Sequence, residues 1–180
     1  MSMIQQAVEQ AGTLGSLDMI TGAHVSAEHM LRSLTNVCEL PENAHAILQV
    51  LSWKSRPMST RIVITTPALL GAEDEQCYLQ DVFLLARRRH LRACRPQDAY
   101  ETVLNHPTAS FWSGDGVLFV SQPVSCPIDF CFDLLCVKIH KNKLGISTRP
   151  TNYGPEDYKK YKVGLNRPVA FVQERRPHLQ

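Results

Sequence analysis

Arg87-Arg88-Arg89-His90-Leu91-Arg92, with Arg95 just beyond, is the densest run of ionisable side chains in the sequence. Guanidinium groups so close together grip phosphates, RNA or an acidic partner surface. The plainer account is a solvated helix end, because Glu73, Asp74 and Glu75 come first and the arginines last, as a helix dipole prefers. A second basic stretch, Lys138–Arg176, interleaves aromatics: Tyr153, Tyr158, Lys159, Lys160, Tyr161 and Lys162. Tyrosines stack on bases while lysines meet phosphates, which is the logic of single-strand binding. No RNA-binding signature accompanies it, so a partner-docking surface or solvated loop is the favoured reading. The binding candidates are therefore Arg87, Arg88, Arg89, Arg92, Arg95, Arg149, Lys159, Lys160 and Lys162.

Cys126, Cys131, Cys136 and His140 form C-x4-C-x4-C-x3-H. The ligand types suit zinc, but the tight knuckle spacing is missed and the segment reads as strand, where residues five apart face opposite sides. Buried thiols acting as small apolar groups are the favoured account, and no metal is expected. Asp129, Asp133 and Lys138 resemble the carboxylates and lysine of metal-dependent nucleases, yet Lys138 has the wrong strand parity unless a bulge intervenes. Cys94, with His90 and His106, has the types for a nucleophile and base, and nothing further marks it. Phosphatase-type C-x5-R, G-x-S-x-G, Walker A and G-x-G-x-x-G patterns are all absent from the sequence. No reaction is spelled out.

The elements that must position these residues are most legible between Ile128 and Glu156. Phe130, Phe132 and Leu134 alternate with Cys131, Asp133 and Leu135, a strand pattern that runs on to Val137 and Ile139. His140-Lys141-Asn142-Lys143 supplies a turn, and Leu144-Gly145-Ile146-Ser147 starts the return strand. Earlier, Ile4–Ala11 suggests a short helix and 12–22 a flexible, turn-rich stretch. Ser26 caps a helix carrying Met30, Leu31, Leu34 and Val37, and Pro41 opens another with Ala44, Ile47, Leu48 and Leu51. Arg61–Thr66 is a β-branched strand stopped by Pro67. Residues 76–94 fit a helix, or a strand over Cys77–Leu85 with a helix beginning later. Gln97–Leu104 reads as a helix, Gly116–Gln122 and Val169–Gln173 as strands. Helix-rich first and strand-rich second, the chain is expected to be α+β: helices from the N-terminal half on one side of a mainly antiparallel sheet from the C-terminal half. Residues 1–40 are expected to form an N-terminal helical arm or extension, and 41–180 a single domain.

The 180 residues carry a net charge of +2, so nucleic-acid binding is permitted and not demanded. Charge rises along the chain: residues 1–59 hold three Lys/Arg against five Asp/Glu, residues 111–180 ten against six. The N-terminus lacks a basic segment followed by an apolar run, and the densest apolar stretch is too short to span a bilayer. A soluble intracellular protein with six free thiols and no membrane partner is expected.

From Pro41 onward, the segments IVITTP, PALLGAEDEQ, Arg88-Arg89-His90-Leu91, DAYETVL, GVLFVSQP, DFCFDLLCVKI and LGISTRPTNYGPE follow one another in the order found in the plast family, the RolB/RolC-type oncoproteins of plant-transforming T-DNA. The chain resembles that family over roughly two-thirds of its length. The best local match rests on Gly145, Arg149, Asn152, Tyr153 and Glu156. The family's Arg-Arg-Gly exit is replaced here by Arg149-Pro150-Thr151, which puts any function of that doublet in doubt. The resemblance implies an α+β fold similar to ADP-ribosylating toxins and a cytoplasmic or nuclear role in plant growth or hormone response through binding host proteins. It implies no cofactor. An ADP-ribosyltransferase-like enzyme, the alternative, would use NAD, with Arg61, Ser147-Thr148 and Glu174 as the residues of the right types. A Glu-x-Glu pair is missing, since Val172 precedes Gln173-Glu174.

Overall fold

The structure, a computed structural model, describes residues 12–24, 26–53, 57–151 and 158–173. The helix expected over Ile4–Ala11 lies outside them. The stretch expected to be flexible is instead a strand: β1 (Gly15–Thr21) pairs antiparallel with β2 (Met58–Thr65), from Gly15 opposite Ile64 to Thr21 opposite Met58. Between them come α1 (Ala27–Leu34) and α2 (Glu42–Val50). Ser26 caps α1 as expected, its hydroxyl accepting the His29 N–H at 3.1 Å, and Pro41 presets the entry to α2. Pro67 ends β2 by starting the short α3 (Pro67–Leu70), capped by Thr66 and closed by Gly71 at φ 105.

Residues 76–94 change state three times. β3 (Gln76–Tyr78) leads straight into α4 (Leu79–Arg88), and left-handed His90 (φ 58) turns the chain into β4 (Leu91–Arg92). Then come α5 (Pro96–Asn105), β5 (Val117–Phe119), β6 (Val124–Ser125), β7 (Phe132–His140), β8 (Lys143–Pro150), β9 (Lys162–Gly164) and β10 (Val169–Gln173). The β7–β8 hairpin closes on Lys141 (φ 49) and Asn142 (φ 63), two left-handed residues whose turn matches the twist of the strands.

Across the main sheet the order is β1, β2, β10, β5, β7, β8. Short β4 extends the β5 position along β10, and β6 does so along β7. Among the described strands β5 and β10 run parallel and the other strand pairs are antiparallel, while an isolated parallel bridge joins Glu39 to Gly145. The architecture is α+β. The expectation of helices on one side is corrected, because alternate residues of the central strands are buried on both faces. Ile62, Ile64, Leu135, Val137, Ala170 and Val172 face a core built with α1, α2 and α5. Val63, Leu134, Cys136, Val169 and Phe171 face a second core beneath α3, α4 and a β3–β9 ribbon. Burial on both faces explains why β10 reads as an unbroken apolar run.

The N-terminal arm is also corrected for residues 12–40. Leu17 and Met19 of β1, with Met30 and Leu34 of α1, belong to the first core. Removing them would strip an edge strand and a helix from the sheet, so this segment is part of the same folded body. No helix among the described residues is long and apolar enough to cross a membrane.

Candidate anion-binding cleft

The fold sorts the basic residues into separate environments. Arg87, Arg88 and Arg89 are exposed at the C-terminal end of α4. At the other end of that helix, the Leu79 N–H donates to Tyr161 O at 2.8 Å. About 15 Å of helix therefore separates this triplet from the Tyr161 segment. Arg92 donates to Ala93 O at 3.3 Å, within its own strand end. Arg95 is the N-cap of α5: its N–H donates to Asp98 Oδ2 at 2.7 Å, while Nε and Nη2 reach Oδ1 at 3.1 and 2.9 Å. These last two cations are spent on local structure. Lys159 and Lys160 are exposed on a 3₁₀ turn just before β9.

Arg149 and Lys162, by contrast, meet, and they meet a residue that the sequence did not single out. A cleft of about 260 Å³ is lined by Leu118, Arg149, Tyr161, Lys162, Val163, Gly164 and Arg167. Each cation is placed by a different element. Arg149 lies opposite Leu134 in the β7–β8 ladder, on the side of the second core. Lys162 opens β9 opposite Tyr78, with its ammonium 5.6 Å from the centre of that ring. Arg167 is delivered by the turn from Gly164, whose carbonyl accepts the Arg167 N–H at 3.0 Å. Its guanidinium donates to Cys136 Sγ at 3.1 Å and lies 3.9 Å from Asp115 Oδ2, with its side chain 18% exposed. Asp115 itself is 87% exposed. Three basic residues thus line one cleft, and the carboxylate beside Arg167 is loosely held and solvated.

Such a concavity favours an anion, because partial burial lowers the effective dielectric around the charges. Arginine forks suit planar carboxylates and phosphates. The volume lies below the 300–1,000 Å³ typical of drug-sized ligand pockets, so it accommodates one anionic group and not a dinucleotide.

The residues suggested by toxin chemistry are not brought together. Arg61 is ion-paired with Asp18 at 2.6 Å across the β1–β2 ladder. Ser147 sits on β8 and donates to Cys136 O at 3.3 Å. Four strand steps lie between β2 and β8, about 19 Å at ~4.8 Å per step. That exceeds the reach of a shared site. Glu174 lies outside the described residues.

The C-x4-C-x4-C-x3-H set does not converge either: Cys126 belongs to the first core, Cys136 to the second, and His140 is exposed at the hairpin end. All six cysteines are free thiols, as expected. Burial, followed by the negative charge of Asp98, pushes the Cys94 thiol up, and Arg92 and Arg95 oppose this too weakly to activate it. Asp129 and Asp133 do come together, without Lys138 and beside Cys126. Burial and the Asp129 charge push the Asp133 carboxyl up.

These features define an α+β protein with a two-faced, mostly antiparallel sheet and a basic cleft at the β7–β8 side of its second core. No protein-family model, curated protein or solved structure matches the chain.

Proposed function

We propose that this is a plast-like regulatory protein, acting on plant growth or hormone response by binding host proteins, and that the Arg149–Lys162–Arg167 cleft receives an anionic side chain of the partner. The carrying observation is that three basic residues from three elements line one cavity sized for one anionic group. A second observation agrees with it. Arg149, part of the best local match to the plast family, is the residue through which that segment reaches the cleft. Gly145 of the same segment is structural, since a side chain there would press on the Glu39 carbonyl at 3.3 Å. Asn152, Tyr153 and Glu156 lie outside the described residues. Binding through the cleft asks for no cofactor and no bond-making step.

The test is calorimetric titration of the full chain with inorganic phosphate, then with a phosphoserine peptide and a glutamate-rich peptide of equal charge. The peptide arms separate a phosphorylated partner from an acidic one. Arg149→Gln and Arg167→Gln should each weaken binding by tenfold or more, from the ~1.5–3 kcal/mol of a charge-assisted hydrogen bond. Arg89→Gln, at the far end of α4, should leave it unchanged. Equal losses in all three variants would reduce the effect to net charge and overturn the assignment, as would a failure of all three ligands to bind.

A further inference from the structure

Cys126, Asp129 and Asp133 are drawn together by a turn that the strand pattern conceals. Phe130, read as the start of a strand, is 80% exposed with φ 58, so β7 begins only at Phe132. The chain reverses over 126–131: the Phe130 N–H donates to Cys126 O at 2.9 Å, and the Cys126 N–H to Cys131 O at 2.8 Å. Asp129 folds inward at the tip, Oδ1 accepting the Cys131 N–H at 3.1 Å, while Asn43 at the start of α2 donates to Oδ2 at 2.8 Å. In the β6–β7 ladder Asp133 faces Val124, which puts it on the same side as Cys126 two residues on.

One thiol and two carboxylates result, with one ligand atom from each lying within 4.8 Å of the other two. Asp133 supplies an independent sign that something is bound there. It is 2% exposed, and neither carboxylate oxygen makes a hydrogen bond of normal geometry among the described residues, the Thr148 side chain being the polar partner that approaches it. A buried carboxylate so weakly partnered is disfavoured as the anion: it is held either as the neutral acid or by a cation that faces it. Cys126 is fully buried beside it, whereas Asp129 is exposed and opens the group to solvent.

We infer that Cys126, Asp129 and Asp133 form a binding site for a divalent transition-metal ion of zinc type. Thiolate excludes the hard cations magnesium and calcium, while thiolate with carboxylates lies within the ligand set of zinc. Bond lengths of about 2.0 Å to oxygen and 2.3 Å to sulfur place tetrahedral ligands roughly 3.5 Å apart, so the three atoms need to close by only about 1 Å. Three protein ligands leave a fourth position for water. Asn43 would orient Asp129 from outside, as second partners of metal ligands do. The ion would tie the 126–131 turn to β7 and to α2. The site lies toward the helical core, on the opposite face of the sheet from the basic cleft, and is independent of the proposed partner binding.

Untagged, metal-stripped full-length protein should bind one equivalent of Zn²⁺, and Co²⁺ should give a thiolate charge-transfer absorption in the near ultraviolet. Cys126→Ser should abolish that absorption. Asp133→Asn, nearly isosteric and without a buried charge, should remain folded by circular dichroism and lose at least tenfold in Zn²⁺ affinity. Cys131→Ser, in the same turn but outside the ligand group, should keep both properties. Absence of saturable binding, affinity unchanged in Asp133→Asn, or an absorption lost with Cys131 instead of Cys126 would each overturn the site.

Discussion

Arg95 looks like part of a ligand-binding arginine cluster in the sequence and acts as a helix cap in the fold, and Asp98 decides between the two roles. The Asp98→Ala change removes a carboxylate whose side chain is 1% exposed. One loss is the capping bond from the Arg95 N–H at 2.7 Å, worth about 1 kcal/mol. The other is the fork from Nε and Nη2, at 3.1 and 2.9 Å. A charge-assisted pair contributes about 1.5–3 kcal/mol when sequestered, but the Arg95 side chain is 35% exposed and can turn to water, which brings that term nearer 1–2. The sum is about 2–3 kcal/mol. With a urea slope of about 2 kcal/mol per molar, the unfolding midpoint should fall by roughly 1–1.5 M. Arg95→Ala should cost about 2 kcal/mol, because it leaves Asp98 and Glu101, 3.8 Å from the same guanidinium, buried without their cation. The double variant should cost no more than Asp98→Ala alone, a coupling of at least about 1.5 kcal/mol. Phosphate binding at the cleft should be unaltered in Arg95→Ala. Additive costs, or intact stability with lost anion binding, would refute the capping role.

Two further outcomes follow from buried groups. Burial raises the Glu101 carboxyl above its ordinary 4.5, against the Gly22 N–H and Arg95, which pull it down. A raised carboxyl costs stability as pH climbs from the unfolded value through the folded one, so wild type should lose stability relative to Glu101→Gln over that window and then run parallel, measured by urea unfolding from pH 4 to 8. Gly116→Ala should destabilise by 2 kcal/mol or more, measured by thermal unfolding: φ is 71, and an added Cβ would lie 2.4 Å from Val137 O.

The local rules carried much of the fold and failed at identifiable points. Ser26, Pro41 and the Lys141-Asn142 turn are short-range signals, and each acts where the sequence places it. β1 escaped because Gly12, Gly15 and Gly22 surround a weak alternation of Leu17, Met19 and Thr21; only the long-range partner β2 makes it a strand. At Phe130 the alternation continued by parity into residues that Pro127 and Asp129 had already turned, so an apolar side chain read as part of the strand stands in solvent. That same turn brings Cys126 beside Asp129 and Asp133, a grouping that the C-x4-C-x4-C-x3-H spacing does not show.

The basic residues show the same division more sharply. Charge is visible in sequence, but the role of a cation depends on which acceptors its donors reach. Arg92 and Arg95 find acceptors within three residues of themselves and are absorbed by local structure. Arg149, Lys162 and Arg167 come from β8, β9 and the turn before β10, and no spacing along the chain links them. They converge because β9 is recruited by β3 and β10 by β2 and β5, pairings that span most of the chain. Arg167 had one local mark, the Asn166-Arg167-Pro168 turn ahead of the last strand, which fixes where the residue lies but not what it faces. A run of like charges therefore indicates where a helix ends, whereas a site assembled from separated cations emerges only when the sheet is closed.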